Sequence, residues 1–200
     1  SSTGRVLPRS PTESRDRFGS SLGVPTVPRR AQPPETTGWR TRPIRVRTIG
    51  VMSTTTETAA FVSVGYQERN IDEFVTLLVD NDVDLLVDVR LNAISRKRGF
   101  SKTALSNALV DAGIEYRHER QLGNPKDNRE PFRQGLASAR SRYLKQLSNG
   151  AKGIYDEVVS LASTSRVALL CYERDHAECH RSCIIDSAQN IDPSLRVVKI

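Results

Sequence analysis

Cysteine is scarce in this chain, with three in 200 residues, and that excludes a disulfide-dense secreted scaffold. Long apolar runs are missing as well. None approaches the ~20 residues that a membrane-crossing helix needs, which excludes a helical membrane protein. No apolar stretch of roughly 7–15 residues stands near the start, so a secretory signal is not expected there. Apolar residues make up only 37% of the chain, below the usual globular share, so part of it is expected to lie outside any core. The length suits one domain with an appendage, or two small domains.

Charge is unevenly distributed. Residues 1–60 hold ten arginines, no lysine and four acids, whereas residues 61–200 hold 20 basic against 19 acidic side chains. The net +7 therefore belongs mainly to the N-terminal segment. That segment also has seven of the ten prolines, Ser/Thr/Gly clusters and few large apolar residues. Such a chain cannot bury enough surface to offset its ordering entropy, so residues 1–59 are expected to form a disordered basic tail. Val46, Ile49, Val51 and Met52 are expected to make at most a short local contact. Its Arg- and Ser-rich composition is that of an organellar leader, but the prolines spoil the amphipathic helix such a leader uses. A basic arm touching nucleic acid is the other functional reading; a plain solvated tail is the favoured one.

From Ala60 onward the pattern changes to alternating strands and helices. Ala60–Gly65 reads as a first strand closed by glycine. Asn70 and Glu73 have capping-box spacing before Ile71, Phe74, Val75 and Leu78, which follow a helical period. Val83–Val89 reads as a buried strand, and Ser101 as the cap of a helix through Ala112 that stops at Gly113. A strand is expected over Ile114–His118, a loop over 121–131 and a charged helix over 132–147. A further helix is expected from Ile154, a strand over Arg166–Cys171, a helix over 179–189 and a closing strand over 195–200. The expected fold is α/β, a mostly parallel Rossmann-like sheet with helices on both faces. In such sheets the crevice beyond the carboxyl ends of the strands is the usual ligand site.

Unusual polar residues fall at those ends. Asp88 and Arg90 close the second strand and point to one side of it. Cys171 closes a later strand, followed by Glu173, His176, Cys179, His180, Arg181 and Cys183. Asp88 and Glu173 are the candidate proton acceptors, because partial desolvation at a buried strand end raises a carboxylate toward useful basicity. Cys171 is the candidate nucleophile, if His180 or Arg181 stabilises its thiolate, and otherwise a small buried hydrophobe. His180 is expected to hydrogen-bond Asp88 or Glu173 and to shuttle protons. Arg90, Arg96 and Arg181 are the candidate anion binders, and Tyr66 can stack on a base or simply pack. His118 and His176 are expected in exposed or structural roles. Cys171, Cys179 and Cys183 with one histidine have metal-ligand chemistry, but no Cys-x-x-Cys pair exists, so no metal is assigned and the cofactor is left open.

The ordered motifs Gly65-Tyr66 with Arg69, Asp88-Val89-Arg90, Ser95-Arg96 with Gly99-Phe100, Leu122-Gly123, and Cys171 with Glu173 and Cys179-His180-Arg181 resemble the domain of unknown function 488 family over about residues 61–200. The resemblance implies an α/β fold and marks the Asp-Val-Arg and Cys-His-Arg motifs as the site; it implies no settled reaction. Ala93-Ile94 stands where that family often has proline before the Ser-Arg pair. A fainter similarity is to rhodanese-type sulfurtransferases, but nine residues separate Cys171 from Arg181, too many for a tight anion-cradling loop.

Three readings follow. The first is an enzyme acting on an anionic, phosphate-bearing substrate, with a nucleotide or nucleic acid as the first class to test. The second is a non-catalytic anion- or nucleic-acid-binding module with a structural ion-pair network. The third is a metal or thiol redox site. An open cleft lined by these side chains favours the enzyme; complete mutual burial favours the module. Thiol usage and the lack of an export signal point to the cytoplasm, with no membrane partner.

Overall fold

The computed structural model describes residues 59–200. The expected tail therefore lies outside the described residues, apart from Ala59, which is buried. Five strands form one sheet in the order β3-β2-β4-β1-β5. They are β1 (Ala60–Gly65), β2 (Leu85–Asp88), β3 (Glu115–His118), β4 (Arg166–Cys171) and β5 (Val197–Lys199), and every pairing is parallel. The helices are α1 (Ile71–Asp80), α2 (Lys102–Asp111), α3 (Arg129–Arg133), α4 (Ala137–Asn149), α5 (Lys152–Ala162) and α6 (Arg181–Ile191). Among the described residues, no helix is long and apolar enough to cross a membrane.

The strands are short and nearly continuous in apolar residues because both faces of the sheet are covered. Their side chains alternate between two cores. Val62, Val64, Leu86, Ala168 and Leu170 meet Phe74 and Leu78 of α1 and Leu105 and Leu109 of α2. Phe61, Leu85, Val87, Val167 and Leu169 face the opposite side, against Tyr143, Leu147, Val158 and Ile184. The connections after β1 and β2 thus run over one face, and the one after β4 runs over the other. Strands β2, β4 and β1 lie side by side at this reversal, where parallel sheets open a crevice at their carboxyl ends.

Local chemistry agrees with most of the expected elements. Asn70 and Glu73 do form a reciprocal capping box at the start of α1. Ser101 precedes α2 as expected but its side chain makes no capping hydrogen bond. The helix expected over 132–147 is two helices. Gly135, at φ 72°, adopts a left-handed backbone that ends α3, and Leu136 donates from its amide back to the Pro131 carbonyl at 3.1 Å. Helix α3 thereby begins inside the stretch expected to be loop.

Candidate active site

At the end of β2 the Asp88 carboxylate is fully buried and fully engaged. Arg90 grips it with two parallel bonds, from Nε to Oδ1 at 2.8 Å and from Nη2 to Oδ2. The Tyr116 hydroxyl, from neighbouring β3, donates to Oδ2 at 2.8 Å. Arg90 Nη1 donates to the Phe100 carbonyl at 2.9 Å and to the Tyr66 hydroxyl at 3.3 Å. Four of the five guanidinium N–H groups are therefore occupied. Burial works against the charge on Arg90, but Asp88 outweighs it and holds the guanidinium charged. Burial, helped by the Asp88 charge, pushes the Tyr116 phenol up, so it stays a donor. Tyr66 stacks on Phe100 with centroids 4.5 Å apart, and His118 Nε2 meets the Arg90 carbonyl at 2.8 Å.

The segment after β4 carries the second half of the site. The Cys171 thiol donates to Glu173 Oε2 at 3.0 Å. His180, the N-cap of α6, points Nδ1 at the Cys179 and Cys171 sulfurs, 3.6 and 3.9 Å away. Its Nε2 bonds the Val89 carbonyl at 3.0 Å, which ties this segment to the end of β2. Arg181, the first residue of α6, folds back so that Nε donates to Cys179 Sγ at 3.2 Å and Nη2 to the Glu173 carbonyl at 2.6 Å. Gly65 permits this close approach, since a Cβ there would overlap the backbone of Glu173 and Arg174.

These contacts set the protonation pattern. Hydrogen bonding to Cys179, with burial, pushes the Cys171 thiol well up, so it keeps its proton. Burial also opposes a charged Cys179, but the Cys171 thiol beside it and the positive charges of His180 and Arg181 pull that thiol well below its ordinary value. For His180 burial favours the neutral ring, and the Cys179 thiolate more than reverses this. Cys171 Sγ, Cys179 Sγ and a ring nitrogen of His180 lie within 4.8 Å of one another, a set able to hold a metal ion.

A cleft of about 210 Å³ opens over this group, beyond the carboxyl ends of the strands. Cys171, Glu173, Cys179 and His180 line it, facing Asn124, Arg129, Phe132 and Arg133 from the α3 region. Arg133 reaches across to Glu173 Oε1 at 3.4 Å, and Arg129 Nε donates to the Asn124 carbonyl at 3.3 Å.

The family model described as Domain of unknown function DUF488 matches residues 70–188. The chain belongs to this family. Comparison with curated proteins finds no match, and comparison with solved structures finds none either. The DUF488 match includes the Asp-Val-Arg and Cys-His-Arg motifs and leaves out β1 with Tyr66, and β5.

In this DUF488 domain the two motifs meet at one rim, as the sequence predicts. Not every singled-out residue faces the cleft. Cys171, Glu173, His180, Arg90 and Tyr66 line it. Asp88 and Arg181 are completely buried behind it, and Arg96 is exposed but outside the lining. His180 bonds Val89 rather than Asp88 or Glu173, because the ring is drawn to the free carbonyl past the end of β2. Cys183 stands apart from the cluster, beside Arg140 Nη1 at 3.8 Å. His176 is structural, with Nδ1 bonded to Ser63 Oγ at 2.8 Å. Sequence reasoning did not single out Arg129 and Arg133. The adjacent charges of Arg129-Glu130 and Arg133 before Gly135 are the available signal, with Arg129 masked by the loop reading of 121–131 and Arg133 by the single charged helix read over 132–147.

Proposed function

We propose that this cleft is the active site of an enzyme acting on a small anionic, phosphate-bearing substrate. The observation that carries the reading is the joint lining of one open cleft. A thiol–imidazole pair and a carboxylate form one side, and two guanidinium groups from α3 form the other. Guanidinium forks suit phosphate oxygens, and Arg129 and Arg133 are the anion binders of this reading. Glu173 is its proton acceptor, within hydrogen-bond reach of the Cys171 thiol and open to the cleft. Cys171, Cys179 and His180 form the reacting centre on its floor.

Asp88 and Arg90 are positioning residues in this reading. With four of its N–H groups engaged, Arg90 has one left for a ligand. Tyr66, Arg90 and Tyr116 hold the rim in shape. Arg181 acts through Cys179 and the Glu173 backbone. The cleft volume is below the about 300–1,000 Å³ of sites that enclose a drug-sized ligand. It suits a reacting phosphate-bearing head group, with the rest of a nucleotide or nucleic-acid end extending past Tyr172 at the mouth. Reduced thiols at the centre fit a cytoplasmic setting.

The test is calorimetric titration of the full chain with inorganic phosphate, nucleoside monophosphates and a short single-stranded oligonucleotide, with a turnover screen over the same ligands. Wild type is expected to bind at least one class, Arg129→Ala with Arg133→Ala to weaken it at least about tenfold, and Glu173→Ala to abolish turnover. If all these ligands fail to bind, or both variants behave as wild type while remaining folded, the reading is overturned. The buried Asp88–Arg90–Tyr116 network favours the binding-module reading, which predicts anion binding without any turnover.

A further inference from the structure

We propose that Cys171, Cys179 and His180 form a three-ligand site for a zinc-class divalent metal ion, with the fourth coordination position open to the cleft. The three donor atoms come from two places in the chain, the end of β4 and the turn into α6, yet they converge within 4.8 Å of one another. Tetrahedral zinc, with Zn–S of ~2.3 Å and Zn–N of ~2.0–2.1 Å, sets its sulfur and nitrogen ligands ~3.6 Å apart. Nδ1 of His180 stands 3.6 Å from Cys179 Sγ and 3.9 Å from Cys171 Sγ. The two nitrogen–sulfur separations are thus close to those of a tetrahedral ion, and the two sulfurs, within 4.8 Å of each other, need to close by at most about 1 Å.

The surroundings have the features of an outer shell. A metal-bound imidazole commonly donates its other nitrogen to a carbonyl or carboxylate, which fixes the tautomer. His180 Nε2 is bonded to the Val89 carbonyl at 3.0 Å, and that acceptor requires a hydrogen on Nε2. Nδ1 is thereby the ligating atom, and it is the one aimed at the sulfurs. Arg181 Nε donates to Cys179 Sγ at 3.2 Å, the kind of contact that steadies a coordinated thiolate. Glu173 Oε2, 3.0 Å from Cys171 Sγ, is the acceptor for the proton Cys171 releases when it binds the ion.

Two sulfurs and one imidazole select zinc over the hard cations magnesium and calcium, which take oxygen ligands. Two thiolates also neutralise a dication, so the buried site carries no uncompensated charge from the ion. All three residues line the cleft, as does Glu173, and the fourth coordination position is assigned to that side. Three protein ligands with one open position is the arrangement of catalytic rather than structural zinc. Cys183 and His176, the other ligand types nearby, are held by Arg140 and Ser63 and belong to no such set.

Metal uptake is read directly, without any phosphate-bearing ligand, so its outcome is separate from that of the substrate reading above. The full chain is reduced, stripped with a chelator and titrated anaerobically with cobalt(II), then with zinc(II). One equivalent of cobalt is expected to give thiolate-to-cobalt charge-transfer absorption and intense tetrahedral d–d bands, both lost on adding zinc. Cys171→Ser, Cys179→Ser and His180→Gln are each expected to weaken binding at least about a hundredfold, beyond the usual effect of an outer-shell change. Cys183→Ser is expected to stay within about twofold of wild type, since it is not a ligand. The wild-type spectrum alone is decisive if a variant fails to fold. Absence of charge-transfer absorption in the reduced wild-type chain overturns the site, as does an unchanged spectrum in Cys179→Ser.

Discussion

His180 and Val89, 91 positions apart in the chain, are joined by a 3.0 Å hydrogen bond from imidazole Nε2 to the Val89 carbonyl. The bond does two things at once. It fastens the turn before α6 to the strand end that carries Asp88 and Arg90. It also keeps a hydrogen on Nε2, so any proton that the ring gains or loses is on Nδ1, the atom facing both thiols. The geometry of the thiol cluster is thus set by backbone that belongs to another part of the sheet.

The Asp88–Arg90 pair predicts strong and asymmetric mutational costs. Arg90→Met leaves a fully buried carboxylate with Tyr116 as its only remaining side-chain donor among the described residues, and breaking a buried pair costs about 3–5 kcal/mol. The double variant Asp88→Asn, Arg90→Met is expected to be more stable than the sum of its single variants implies, because the orphaned charge is gone. Urea denaturation of all three chains checks this. Simple additivity would mean that the two side chains do not act as a pair.

Tyr116→Phe removes one donor from the same carboxylate while keeping the ring. Hydrogen bonds to charged groups contribute about 1.5–3 kcal/mol, and the loss is expected in that range. Cobalt uptake should be unchanged, since Tyr116 touches none of the three ligands. A stability difference near zero would indicate that water replaces the phenol at Asp88.

Gly65 and Gly153 predict opposite signs for one chemical change. A Cβ on Gly65 runs into the backbone of Glu173 and Arg174, which cannot swing aside as a side chain would. Gly65→Ala is expected to destabilise by at least about 1–3 kcal/mol. Gly153 lies inside α5 with no atom of the described residues within 4 Å of its Cβ position, so alanine there is expected to stabilise by up to about 1 kcal/mol. Thermal unfolding of the two variants beside wild type measures both, and a shared sign would contradict the packing described here.

What the sequence made legible was local. Asn70 and Glu73 lie three residues apart and cap each other, so spacing sufficed. Strand-end placement put Asp88, Arg90, Cys171 and Glu173 at one rim for the same reason, because a parallel sheet collects its strand ends. Long-range partners were not legible. Tyr116 reaches Asp88 only through the register that pairs Asp88 with His118, and Arg133 reaches Glu173 across 40 positions. Cys171 drew attention as the strand-end thiol, yet Cys179 is the thiol pulled below its ordinary value, by His180 and Arg181 one and two residues on, whose turning back onto its sulfur the spacing alone does not fix. Ser101 shows the converse: the right residue type before a helix, without the bond.

Glu173 and Arg133 both line the cleft and pair at 3.4 Å, so in the proposed reading an anionic ligand competes with Glu173 for Arg133. Glu173→Gln removes a negative charge from the cleft and frees Arg133, so phosphate-bearing ligands are expected to bind a few-fold more tightly, by about 0.5–1 kcal/mol. Turnover should fall sharply in the same variant, since the amide cannot accept a proton. Arg133→Gln is expected to do the reverse to affinity, weakening it by several-fold, with the difference from wild type shrinking at high salt because the guanidinium is exposed. Binding and single-turnover measurements on the two variants separate the roles. A carboxylate that only holds Arg133 in place would make both substitutions weaken binding; one that receives a proton lets Glu173→Gln bind tightly and react slowly.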